Sequence, residues 1–176
     1  PDESLYESPQ RMTRRASPND LPEAERKTAI EVYDRHAIIF REPECARPLA
    51  DSKAADGVAI RLTAGRGGAR GALEIHGAAL PVTAAPRRYK VYYVVRVEPG
   101  AGADPKAPAF HARIYDHLSG KYVADRLITV AETTTEYRSC RVGTVELNSY
   151  SRLWLGHAQD QAVQAVWFDH AWLVPA

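Results

Sequence analysis

Cysteine is scarce in this chain. Cys45 and Cys140 are the only two in 176 residues, and their spacing fits no zinc or redox motif. A disulfide in an oxidising compartment and two separate buried thiols both stay open; the second is expected. Excess charge of either sign is also missing. The formal net charge is +1, so no basic field argues for nucleic acid. No run of about 18 apolar residues occurs, so no membrane-spanning helix is expected. The six histidines form neither an H-E-x-x-H nor any paired spacing, which leaves no zinc motif. No G-x-S-x-G marks a nucleophile. Glycoside hydrolysis needs two facing carboxylates, and nothing pairs any two of Asp116, Asp125, Asp160 and Asp169. The chain reads as non-enzymatic.

What is present is an ordinary core composition, 45% apolar and 26% charged, enough for one domain without staples. Residues 1–29 differ from the rest. They hold four of the twelve prolines and the Arg11, Arg14, Arg15 cluster, and they lack a sustained apolar period. They read as a linker or strap whose removal costs little stability, with a turn or two of helix at Leu21–Lys27.

From residue 30 to 176 the pattern is all-β. Strands are expected at 29–33, 37–40, 58–62, 72–76, 88–97, 109–116, 127–130, 136–145, 153–156 and 163–173. Turn residues separate them, among them Asp56-Gly57, Glu98-Pro99-Gly100 and Ser119-Gly120. The run from Ala64 to Gly71 is glycine-rich but lacks a terminal Lys-Ser/Thr and a following helix, so it reads as a hairpin loop rather than a phosphate cradle. Short strands at this density imply an antiparallel β-sandwich with an irregular N-terminal strap. Val163–Val174 closes the fold and sets one acid, Asp169, inside an apolar run. A buried acid there needs a partner or a cation.

Alternation assigns faces. Val91, Tyr93, Val95 and Val97 share a core face, as do Phe110, Ala112 and Ile114, and Leu153 and Leu155. Tyr92 and Arg96, then His111, Arg113 and Tyr115, then Arg152 and Trp154 look away. With these strands as neighbours in one sheet, Trp154, Tyr92, Arg96, His111, Arg113 and Tyr115 form one outward patch. Aromatic plates stack on pyranose rings, and guanidiniums bond paired oxygens. Such arginines favour an anionic glycan. The alternative is a wetted sheet face whose charges pair across strands.

Three pieces carry a family resemblance. Leu49 to Ala59, LADSKAADGVA, is similar to a "D-x-x-A-S-D-G-x-A" entry. Tyr89 to Val97, YKVYYVVRV, is similar to a "Y-x-V-Y-x-x-V-R-V" strand. Tyr137-Arg138-Ser139, Leu153-Trp154-Leu155 and Ala165 to Asp169 are similar to "Y-R-x-Y", "L-W-L" and "A-V-W-V-D". In this order they resemble the C-terminal jelly-roll region of large bacterial proteins with a glycoside-hydrolase-like domain of unassigned activity. Carbohydrate-binding jelly rolls are the wider kin.

The resemblance implies a jelly-roll module of a larger secreted or periplasmic protein, binding a poly- or oligosaccharide beside an adjoining catalytic domain of the same chain. It also implies a structural Ca²⁺ ligated by Asp169, with Glu31 and Asp51 approaching from the opening strands. The acidic "E-A-E" opening of calcium-bearing modules is replaced here by Ile30-Glu31-Val32. Two other functions stay open: a purely structural domain packed on a catalytic partner, and a small jelly-roll lyase using His111, Arg113 and Tyr115.

Overall fold

A computed structural model describes residues 9–14, 20–40, 44–82, 87–159 and 161–176. Arg15 of the basic cluster lies outside them. The described chain forms eleven strands: β1 Ile30–Tyr33, β2 Ile38–Phe40, β3 Ala46–Ala50, β4 Val58–Leu62, β5 Ala72–His76, β6 Arg87–Pro99, β7 Pro108–Asp116, β8 Lys121–Thr129, β9 Arg138–Leu147, β10 Ser151–His157 and β11 Val163–Pro175. One short helix, α1 Glu23–Arg26, precedes them. All strand pairings are antiparallel. One sheet runs β3-β4-β11-β6-β9, with β1 also on β11; the other runs β2-β5-β10-β7-β8. The expected sandwich is what forms.

Two strands depart from the sequence reading. β3 was not expected, because Pro48 removes a donor. It survives as the outermost strand of its sheet, where a missing N–H costs little. β8 is longer than 127–130 and is largely wetted, so its apolar signal is weak. The loop at 64–71 holds no helix beyond a single 3₁₀ turn at Arg66–Gly68 and folds back on itself through one Ala64–Arg70 bridge. It is not a hairpin between paired strands: it carries the chain from β4 in one sheet to β5 in the other.

The core lies between the sheets. Val91, Tyr93, Val95 and Val97 of β6 meet Phe110, Ala112 and Ile114 of β7 and Leu153 and Leu155 of β10, as the alternation requires. Tyr93 is fully buried and crosses the core. Its hydroxyl lies 3.3 Å from the Arg113 carbonyl and 3.2 Å from the Trp154 carbonyl, and shares its proton between them. That bond ties the six-stranded sheet to the two strands that carry the outward tryptophan. Cys45 and Cys140 are separate buried thiols.

β11 is apolar on both faces because both are covered. Its alternation breaks at Asp169, where the register against β6 shifts between Phe168 and His170. The extra residue is a bulge. It turns Asp169 and His170 away from the core, while Phe168 and Ala171 stay in it.

The strap packs on that same outer face. Leu21 is 1% exposed and clusters with Tyr92, Val94, Trp172 and Val174. Glu25 bonds Lys90 and the Tyr92 hydroxyl, and Asp20 accepts the Ser139 backbone N–H. The burial of Leu21 stands against the expectation of a dispensable strap. An aliphatic side chain buried this fully contributes about 1.5–3 kcal/mol.

Candidate functional site on the five-stranded sheet

The outer face of the second sheet is built as two cross-strand rows. One runs Glu74 of β5, Trp154 of β10, Arg113 of β7 and Asp125 of β8. The next runs His76, Arg152, Tyr115 and Tyr122. Side chains two residues apart on one strand share a face, so both rows point outward. Between them lies a cleft of about 310 Å³ lined by Glu74, Arg113, Tyr115, His117, Tyr122, Arg152 and Trp154.

Trp154 lies flat along its own strand. A Cβ on Gly156 would stand 2.4 Å from the indole Cη2, so only glycine leaves room for the ring there. The His111 ring meets the indole edge-on at 5.7 Å. The Arg70 guanidinium stands 5.0 Å from the indole centroid, reaching in from the glycine-rich loop, and Arg113 stands at 6.0 Å. Arg113 also lies 4.6 Å over the Tyr122 ring, which meets Tyr115 edge-on at 5.0 Å.

The charges are only partly balanced. Arg152 donates to Glu74 at 2.9 Å, and Arg113 reaches Asp125 at 3.2 Å. Bonds from His111 and Arg113 hold the Asp125 carboxyl below its usual range. Among the described residues no carboxylate pairs with Arg70. Burial, and then repulsion from Arg113, lowers its affinity for a proton. Three guanidiniums thus meet two carboxylates around one indole.

The sequence-predicted patch is split by the structure. Trp154, Arg113 and Tyr115 come together in the cleft. His111 stands behind the indole. Its Nε2 is 2.5 Å from Asp125 and 3.1 Å from Arg113 Nε. One nitrogen cannot donate to the first while accepting from the second, and in either state it is engaged, so His111 acts as a prop. Tyr92 and Arg96 belong to β6, in the other sheet, and face the opposite side of the molecule. Tyr92 is 8% exposed beneath the strap, and burial with the Glu25 bond pushes its hydroxyl up to about 12. Arg96 lies 4.5 Å over Trp167 and donates to Asp51 at 2.8 Å. These two are corrections: face alternation was right, and strand neighbourhood was not.

Glu74, Arg152, His117, Tyr122 and Arg70 were not among the predicted site residues. Glu74 and Arg152 sit on expected strands and alternate with core residues, so the pattern carried them. Tyr122 falls on the part of β8 that the sequence did not reveal.

The three calcium candidates do not form one shell. Asp51 accepts from Arg96, from the Tyr137 hydroxyl at 2.6 Å and from the Lys53 backbone N–H at 3.1 Å. Burial alone would raise its carboxyl, but the Arg96 and Tyr137 bonds outweigh it and hold it below the usual range. Asp169 accepts from the Ala55 backbone N–H at 3.1 Å and faces His170. Glu31 is paired with Arg14. Among the described residues no three His, Cys, Asp or Glu side chains are arranged to hold a metal ion. Ca²⁺ takes six to eight oxygens. Of these three carboxylates Asp51 and Glu31 are engaged by protein donors, while Asp169 keeps one oxygen without a partner.

No family model and no curated protein matches the sequence. Solved structures do match in fold. The chain superposes with a TM-score of 0.54 on a family 35 carbohydrate-binding module from Clostridium thermocellum, at 12% identity, covering 83% of this chain and 97% of that one. A carbohydrate-binding module of Cellvibrio mixtus lichenase 5A, in complex with cellotriose, gives a TM-score of 0.51 at 11% identity over 84% of this chain and 97% of that one. A Podospora anserina GH26-CBM35 β-(1,4)-mannanase gives 0.53 at 10% identity, over 86% of this chain but only 28% of that one. The fold is therefore that of carbohydrate-binding β-sandwich modules, and the chain spans about a quarter of the larger enzyme's length.

Proposed function

We propose that this domain is a non-catalytic carbohydrate-binding module, and that its ligand surface is the cleft around Trp154. One observation carries the reading: an outward indole lies flat on a rigid central strand, rimmed by tyrosines and by more guanidinium than carboxylate. A flat indole stacks on the apolar face of a pyranose, and this is worth about 1 kcal/mol beyond buried area. Arg70, Arg113 and Arg152 supply donors around the ring's rim. Arg70 stands without a carboxylate beside Arg113, so a uronate or sulfate group would relieve their repulsion. We therefore propose a preference for anionic glycans. The fold neighbours, two of them complete carbohydrate-binding modules and one part of a mannanase chain, support a module that acts beside a catalytic domain of the same parent chain. Such a protein works on extracellular polymer, hence a secreted or periplasmic setting.

A second reading has its own observation. The edge strands β2 and β8 expose Ile38, Tyr122, Val123 and Leu127. Exposed edges and apolar side chains suit a domain that packs on a neighbour. Affinity electrophoresis separates the two. Retardation by uronate-containing polysaccharide, weaker with neutral polymer and lost in Trp154→Ala, supports the module. No retardation by either polymer favours the packing domain.

A further inference from the structure

The acids on the strap-covered face form a chain with the strap. Arg11 places one guanidinium nitrogen 2.8 Å from Asp34 and 2.9 Å from Asp56. Arg14 pairs with Glu31, and its other nitrogen is 3.9 Å from Asp56. The His170 imidazole closes the chain, 3.6 Å from Glu31 and 3.1 Å from Asp169. Asp34, Asp56 and Asp169 are all buried. One oxygen each of Asp34 and Asp169 is buried without a hydrogen-bond partner. Buried carboxylates left this way depend on a nearby cation.

We propose that the cation of this cluster is the strap itself: the guanidiniums of Arg11 and Arg14 neutralise the acids that would otherwise draw a divalent metal. A single nitrogen bridging two carboxylates does what a bound ion would do. The strap is fixed in register for it. The Met12 backbone N–H donates to the Asp56 carbonyl at 2.8 Å, and the Arg14 guanidinium lies 4.5 Å over the Tyr33 ring. The Asp169 bulge and the β1 face deliver the acids to the same place, so sheet and strap are held by charge as well as by Leu21. Two guanidiniums and an imidazole then face the four carboxylates, and the two unpartnered oxygens, one each on Asp34 and Asp169, are too few to make a metal's shell.

The test is a set of thermal melts on the full chain, and it is independent of any glycan. In wild type, excess EDTA and millimolar calcium should give the same midpoint. Arg11→Gln should lower the midpoint by roughly 5 °C, as expected for losing one partner of a largely buried pair in a domain of this size. Adding Asp34→Asn to Arg11→Gln should recover part of that loss, because the stranded charge is gone. A wild-type midpoint that falls in EDTA overturns the proposal, since a metal then holds the cluster. Additive losses from Arg11→Gln and Asp34→Asn overturn it as well.

Discussion

The two outer faces of this sandwich carry the same kinds of side chain and have opposite fates. On the six-stranded sheet, Tyr92, Trp167 and Trp172 are buried and Arg96 is half-buried under the strap and the 51–57 turn. On the five-stranded sheet, Tyr115, Arg113 and Trp154 line an open cleft. Outward aromatics and arginines on a strand therefore do not make a ligand surface by themselves. Cover decides, and cover comes from a segment far away in sequence. Leu21 seals Tyr92 and Trp172, and Ala54 of the 51–57 turn seals Trp167.

A large effect that would break this contrast falls on Leu21. Leu21→Ala should destabilise the fold by about 2–4 kcal/mol, seen as a lower urea midpoint with glycan binding retained. A loss under about 0.5 kcal/mol would mean that the strap only rests on the sheet.

One pH effect belongs to the sealed face. Burial pushes the Asp34 carboxyl up to about 7, against the pull of Arg11 and with Asp56 and Asp169 adding to the rise. A raised carboxyl binds its proton more tightly in the folded state than in the unfolded chain. Its contribution to stability therefore falls as pH rises from about 4 to about 7 and is constant above. Melts at pH 5.5 should exceed those at pH 8, and Asp34→Asn should flatten the difference. An unchanged slope in that variant would place the titration elsewhere.

The open face is probed more gently by Gly156→Ala. A methyl there forces the indole off its bed while the strand keeps its pairing. Glycan retention should weaken several-fold with little change in melting. Smaller still, Arg152→Gln should reduce retention by anionic polymer and spare neutral polymer, because its charge is partly spent on Glu74.

Much of the fold was legible because alternation is local. Val91, Tyr93, Val95 and Val97 declared their face from spacing alone, and so did Trp154 between Leu153 and Leu155. What alternation cannot carry is which strands are neighbours. β6 pairs with β9 and β11, while β7 pairs with β8 and β10, so Tyr92 and Arg96 left the predicted patch although each faced outward as expected. Pro48 hid β3, and the wetted surface of β8 hid Tyr122 with it. Asp169 was read correctly as a buried acid in need of a partner. Its bulge, and the imidazole and backbone donor that meet it, come from tertiary packing that no window of sequence contains.

The most direct test compares the two tryptophans. Trp154→Ala and Trp172→Ala are measured side by side by affinity electrophoresis and by thermal melting. Trp154→Ala should lose glycan retention and keep the wild-type midpoint. Trp172→Ala should lose about 3–5 kcal/mol of stability and, while folded, keep retention. If Trp154→Ala unfolds the domain, or if Trp172→Ala is the variant that loses retention, the assignment of the open and the sealed face is contradicted.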